Sequence, residues 1–466
     1  MGRRSILFAV VFAALVWSGS ALAATPQQLT IAASDGAKLA CSVVVPDTAA
    51  PAGGYPSVIL FHGLGGKHED MEPLATQFLA PAGYETLECD ARGHGLSEGL
   101  FGLDGPRDVQ DTRELFTWLS TRTGNTSIGA LGISLGGGAV WNAAVAGVPF
   151  KAIVPVITWT NLATALAPQG LSKSGLVNYL AALVPESRWD PELLAAKPSL
   201  VSSTNMAAVN ALTASRSPLA KLSSLQTPTL MIQGRRDFLF DIDQALAAYK
   251  ALKGPKRLYV GNLGHSPGIS PATAPDAAIY WGEAVKWFNQ FLKQTGTVNQ
   301  PEVELGHDPF DGKTTEFKSA QPPPIIKSTS VMLPGSTTMS GSNGKVVRSV
   351  RITGGPHETF GDSTVTVRYS GAQDWDRLVA VLALGSTPIT AGGVKINTAQ
   401  GIVTIRLMNQ MLRIPAGKKL TLYLSSTSLA QSSQNPLYLA AVQPDAKITI
   451  GRVTLKISML KKAVSR

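Results

Sequence analysis

The sequence predicts a two-part chain: an α/β domain built on a mostly parallel sheet, followed by an all-β sandwich. Three observations carry this reading. Residues 25–300 alternate short apolar runs with stretches of helical periodicity. From about residue 326 the hydrophobic period changes to two, with glycine and proline clusters between the runs. The chain has 466 residues, 44% of them hydrophobic, enough for a sizeable core and for two to three domains.

The apolar runs at 39–45, 57–61, 86–90, 128–133, 152–157, 229–233 and 257–260 are mostly continuous, as in strands covered on both faces. Between them lie amphipathic segments. Residues 108–121 place Val109, Leu115, Phe116 and Leu119 on one face, and 277–293 do the same with Ile279, Ala284, Trp287, Phe288, Phe291 and Leu292. Strands alternating with helices imply helices on both sides of a parallel sheet. Residues 158–222 break the alternation, with Pro168, Pro185, Pro191, Pro198 and Pro218 as interruptions. Such an insertion is expected to form a helical cap over the C-terminal edge of the sheet, where α/β proteins bind ligands.

Residues 301–325, with Pro309, Pro322, Pro323 and Pro324, read as a linker. Beyond it, 365–369, 420–424 and 453–457 alternate cleanly, and 354–356 and 391–393 read as turns. This predicts an antiparallel, jelly-roll-like sandwich over 326–466. It contains no catalytic set, so its expected role is to pack against the first part and wall its pocket.

The first 23 residues have the form of an export signal. Arg3 and Arg4 precede an apolar run over 6–17, and Ala21-Leu22-Ala23 offers a cleavage site. A secreted, periplasmic or cell-envelope protein is expected, with no stable membrane span after cleavage. In that setting Cys41 and Cys89 either pair or sit as two small buried side chains, and neither has the neighbours for a zinc site. The net charge of +10 is scattered in ones and twos, without a basic helix or interleaved aromatics, so nucleic acid is not an expected partner.

The chemistry rests on three residues in a fixed order. Gly132-Ile133-Ser134-Leu135-Gly136 lies between a strand and a small-residue helix, the setting in which a strained turn exposes a serine hydroxyl. A serine needs a base. Of the six histidines, His62, His68 and His94 precede the serine, while His307 and His357 lie past the last helix of the sheet. His265, just after the strand at 257–260, remains. The acid belongs after the preceding strand, where Asp237 stands; Asp241 and Asp243 are alternatives that could simply cap the next helix. The loop Phe61-His62-Gly63-Leu64-Gly65-Gly66 follows a strand, and the Leu64 and Leu135 amides are candidates for an oxyanion hole. Asp90-Ala91-Arg92-Gly93-His94-Gly95 reads as a structural turn whose Asp and Arg brace the loops around the pocket. No metal or organic cofactor is called for.

The series His62-Gly63, Asp90-x-Arg92-Gly93-x-Gly95, Gly132-x-Ser134-x-Gly136, Asp237 and His265 resembles the α/β-hydrolase superfamily over residues 30–300. Two further stretches, Ile157-Thr158-Trp159-Thr160-Asn161-Leu162 leading to Leu166-Ala167-Pro168-Gln169-Gly170, and Asp376-Arg377-Leu378-Val379-Ala380-Val381, resemble the Xaa-Pro dipeptidyl-peptidase and cocaine-esterase-like hydrolases. That resemblance implies a cap and a C-terminal sandwich. It also implies a tyrosine hydroxyl in the oxyanion hole, and the loop after residue 61 has none. Such peptidases bind a free amine through acidic groups; here Glu186, Asp190 and Glu192 lie in the cap. The expectation is an exported serine hydrolase acting on small or polymeric carboxylic esters. The alternatives are an Xaa-Pro dipeptidyl-peptidase acting on peptides and a non-catalytic exported binding protein.

Overall fold

The computed structural model describes residues 24–265, 269–318, 326–428, 437–439 and 442–464. The expected signal segment, 1–23, lies outside the described residues. One sheet carries β1 (Gln27–Ala32), β2 (Lys38–Val44), β3 (Ser57–Phe61), β4 (Glu85–Cys89), β5 (Ile128–Ile133), β6 (Ala152–Val156), β7 (Thr229–Gly234), β8 (Lys256–Gly261), β9 (Glu302–Gly306) and β10 (Thr314–Phe317). Their order is β1-β2-β4-β3-β5-β6-β7-β8-β9-β10. The pairs from β4 to β9 are parallel, and β1, β2 and β10 add antiparallel edges.

The central strands are apolar throughout because both faces are covered. Ile59 and Ala130 join Leu119 and Trp141 of the helices Pro106–Thr123 and Leu135–Val145 on one side. Val58, Leu60 and Leu131 join Trp287 and Phe288 of the helix Ala277–Leu292 on the other. Cys41 and Cys89 face each other across β2 and β4 and form a disulfide.

Residues 301–325 do not act simply as a linker. They supply β9 and β10, which extend the sheet beyond β8. The two glutamates of β9 hid it. Glu302 and Glu304 are buried, and both pair with Arg257 on β8. A charge pair across strands leaves no trace in local hydrophobic periodicity.

The cap comprises the helices Leu162–Leu166, Ser174–Ala181, Pro191–Ser202 and Met206–Ala214. The second half is a sandwich. One sheet orders Ile326–Leu333, Lys447–Leu460, Ser363–Gln373 and Gly401–Leu407, with Thr337–Ser340 also on Lys447–Leu460; the other orders Lys345–Arg351, Lys419–Ser425, Arg377–Leu384 and Thr387–Lys395. Along Arg377–Leu384 the side chains divide. Leu378, Ala380 and Leu382 enter the sandwich core, while Val379 and Val381 pack with Trp159, Leu171 and Phe238 beneath the cap. The sequence 391–393 is not a turn but the middle of Thr387–Lys395. A Cβ at Gly392 would overlap the main-chain oxygen of Arg406, so the glycine serves close strand approach instead of a bend.

Candidate active site

The site is built at the C-terminal ends of β3, β5, β7 and β8. Ser134 follows β5 directly, with φ 57° and ψ −113°, and the helix Leu135–Val145 starts at the next residue. A side chain rarely adopts that backbone, and strain of this kind gathers at functional sites. The Ser134 N–H donates to Val156 O at 2.9 Å, tying the turn to β6. Gly136 is dictated by contact: a Cβ there would overlap the carbonyl of Phe61 at the end of β3.

His265 stands in the loop after β8. Its Nε2 lies 2.8 Å from Ser134 Oγ and its Nδ1 2.7 Å from Asp237 Oδ2. Phe240 meets the imidazole edge to face, with ring centroids 5.1 Å apart. Asp237, after β7, is fully buried; its Oδ1 accepts from Leu239 N and Phe240 N, both at 2.9 Å. Ser134, Asp237 and His265 are thus brought together from three loops. The alternatives for the acid are engaged elsewhere. Asp241 Oδ2 accepts from Asn409 N at 3.2 Å, and Asp243 Oδ1 from Asn409 Nδ2 at 2.8 Å.

The loop after β3 passes beside the serine: a Cβ on Gly63 would lie 3.7 Å from Ser134 Cβ. Leu64 follows in that loop. Leu135 is the first residue of its helix, where an amide has no partner within the helix. His62 is structural: Nδ1 is 2.7 Å from Gly63 O, Nε2 accepts from Ala91 N at 2.9 Å, and burial holds the ring below its ordinary pKa. Asp90 binds His68 and the Leu96 amide, and Arg92 bridges Asp111 and Asp35. This turn braces the loops, as its composition suggests.

Two parts of the surroundings were missed in the sequence. Gln410 and Lys173 both reach the acid loop, from the sandwich and the cap. Gln410 Nε2 donates to Asp237 O at 2.6 Å, and Lys173 Nζ to Leu239 O at 2.7 Å. Burial pushes the Lys173 ammonium down to about 8, against the pull of Asp241 and Asp237. Neither residue sits in a motif, so only the tertiary fold reveals them.

Under the cap lies an apolar cavity of about 570 Å³ including its open mouth, with Leu64, Leu103, Ala181, Trp189 and Leu212 in its wall. Among the described residues lining it, Lys197 alone is charged. Each cap acid has a partner. Glu186 pairs with Lys197, Glu192 lies 3.0 Å from Arg216, and Asp190 accepts from Glu192 N at 2.8 Å at the start of a helix.

Residues 35–267 match the family described as X-Pro dipeptidyl-peptidase (S15 family). The chain belongs to the S15 family. Two curated proteins of Escherichia coli, each an uncharacterized 31.7 kDa protein in the traX-finO intergenic region, are 30% and 29% identical over 132 residues, 28% of this S15 chain and 46% of each relative. The chain thus spans about half the length of the curated relatives it matches. Three solved structures share the fold at a TM-score of 0.68. A CocE/NonD family hydrolase from Staphylococcus aureus is 14% identical, with 92% of each chain covered. An aminopeptidase from a marine sediment Thaumarchaeota archaeon is 12% identical, covering 97% of this chain and all of the other. An α-amino acid ester hydrolase is 13% identical, covering 98% and 99%. These likenesses extend over both the α/β sheet and the sandwich.

Proposed function

We propose that the protein is an exported serine hydrolase that cleaves carboxylic esters through an acyl-enzyme. The observation that carries this is the hydrogen-bonded series Ser134 Oγ, His265 Nε2, His265 Nδ1, Asp237 Oδ2, at 2.8 and 2.7 Å. Ser134 Oγ attacks the ester carbonyl while His265 Nε2 takes its proton. Asp237 holds the other ring nitrogen as donor and stabilises the imidazolium. The Leu64 and Leu135 amides receive the oxyanion. On collapse the alkoxide leaves with the proton from His265. Water, activated by the same imidazole, then attacks the acyl-enzyme and releases the acid and Ser134.

Esters are favoured over peptides by two features. The oxyanion loop at 61–65 has no tyrosine. The cavity beside Leu64 is apolar, and the cap carboxylates that could hold a peptide's free amine are committed to Lys197, Arg216 and a helix start. The family match supports the second reading, a dipeptidyl-peptidase, which predicts the opposite preference. A panel of short-chain nitrophenyl esters and a Gly-Pro anilide, run on wild type and Ser134→Ala, decides between them. Ester turnover exceeding anilide turnover, lost by at least about a thousandfold in the variant, is expected. Faster anilide turnover that disappears when the substrate amine is blocked would overturn the ester assignment.

Export is supported by the form of residues 1–23 and by the Cys41–Cys89 disulfide, which persists in oxidising compartments. N-terminal sequencing of the mature protein should read from Ala24. Uncleaved protein confined to the cytoplasm would exclude this.

A further inference from the structure

The carboxylate of Asp237 is aimed by its own loop through Leu239 N and Phe240 N, but that loop must itself be placed against the loop of His265. The sandwich supplies part of that placement. Three consecutive residues grip the acid loop along its length. Met411 N donates to Arg235 O at 2.7 Å, Gln410 Nε2 to Asp237 O at 2.6 Å, and Ile242 N to Asn409 O at 3.2 Å, with Asn409 also bonded to Asp241 and Asp243. The gripping segment is anchored in turn. Thr359 Oγ1 donates to Gln410 O at 2.7 Å and accepts from Leu412 N at 2.9 Å, and Gly361 N donates to Asn409 Oδ1 at 2.8 Å. Arg235 and Glu358, both buried, pair between the same two regions.

Within this clamp Gln410 is the residue whose side chain reaches the acid itself. It is 2% exposed, and its Oε1 has no hydrogen-bond partner among the described residues. A buried amide oxygen left unpaired costs stability, so an apolar side chain of the same length would suit packing better. The Nε2 bond to Asp237 is the feature that an apolar side chain would lose.

We infer that Gln410 is a positioning residue for the triad. It fixes the Asp237 peptide from the sandwich, so that the carboxylate meets His265 Nδ1 in line. The inference rests on the Ser134–His265–Asp237 reading above, and it makes the sandwich part of the active-site framework instead of a separate module.

The test uses the full-length mature protein as wild type, Gln410→Met and Gln410→Glu. The first variant keeps the side-chain length without a donor; the second sets a carboxylate against a carbonyl. Folding is checked by near-UV circular dichroism, and whichever variant folds suffices. The direct readout is the low-field proton resonance of His265 Nδ1–H, assigned by its absence from His265→Ala. The second is ester turnover per fluorophosphonate-titrated site. The expected result is a resonance broadened by exchange or lost, with kcat per titrated site lower by about ten- to a hundredfold and KM within about twofold. A purely structural role would lower the number of titratable sites and leave kcat per site and the resonance unchanged. An unchanged resonance in a folded variant overturns the inference, whatever the turnover. If wild type shows no Ser134-dependent turnover, the proposed function fails, and the resonance still decides whether Gln410 positions the acid.

Discussion

Asp237 and His265, 28 residues apart, are joined by a 2.7 Å hydrogen bond whose carboxylate is fully buried. The opposite oxygen of Asp237 is taken by two backbone amides, so the side chain has one orientation open to it. An asparagine would fit that space but could present an N–H to His265 Nδ1. The ring would then carry its proton on Nε2, facing Ser134, and could not accept one. Asp237→Asn should therefore fold normally and lose about 10⁴-fold in kcat on a nitrophenyl ester. Activity within tenfold of wild type would show that His265 is not the base.

The serine turn depends on space as much as on chemistry. Gly136→Ala would drive a methyl group into the carbonyl of Phe61 and push β3 away from the start of the helix Leu135–Val145. Both the Leu64 loop and Ser134 would move. A lower melting temperature together with a kcat loss of about a hundredfold or more is expected, from thermal unfolding and ester kinetics on the same preparation. Wild-type values for both would mean that the turn relaxes freely.

The cavity beneath the cap is expected to set acyl length. Ala181, at the end of the helix Ser174–Ala181, lines it beside Leu180. Ala181→Trp fills the space. The ratio of kcat/KM for an octanoate over an acetate ester should fall about tenfold or more, while acetate turnover stays near wild type. An unchanged ratio would place the acyl chain elsewhere.

Glu88 gives a pH test unconnected with catalysis. It lies on β4, fully buried, with Ser42 Oγ at 3.3 Å from one oxygen and no partner for the other among the described residues. Burial pushes its carboxyl from 4.5 up to about 8. The folded protein therefore holds a proton that the unfolded chain releases. The stability tied to that proton is complete below about 4.5 and is lost as pH rises through about 8. Glu88→Gln removes the titration, so its melting temperature should gain on wild type between pH 5 and pH 9. A difference constant across that range would show that Glu88 does not govern the slope.

Much of the site was legible because chain order and strand ends suffice to find it. Ser134 announces itself by its flanking glycines, His265 by elimination, and Asp237 by following the strand before it. Most of the strands from β2 to β8 were legible for a related reason: burial on both faces writes a mostly continuous apolar run, though β4 carries the buried Glu85 and Glu88. What escaped depends on partners distant in sequence. β9 is masked by Glu302 and Glu304, whose partner Arg257 belongs to another strand. Gly392 resembles a turn until Arg406 is placed against it. Gln410 carries no local signal, because its meaning comes from Asp237, 173 residues earlier.

The extension of the sheet by β9 and β10 bears on how the protein can be divided. A truncation after the helix Ala277–Leu292, where the hydrolase pattern ends on paper, would bare the backbone groups of β8 and leave Arg257 without Glu302 and Glu304. Glu283, in the retained helix, would be the remaining partner of Arg257, and an open strand edge invites aggregation. Cutting near residue 300 to isolate a minimal enzyme would therefore yield insoluble material, and the shortest workable fragment must run past Phe317.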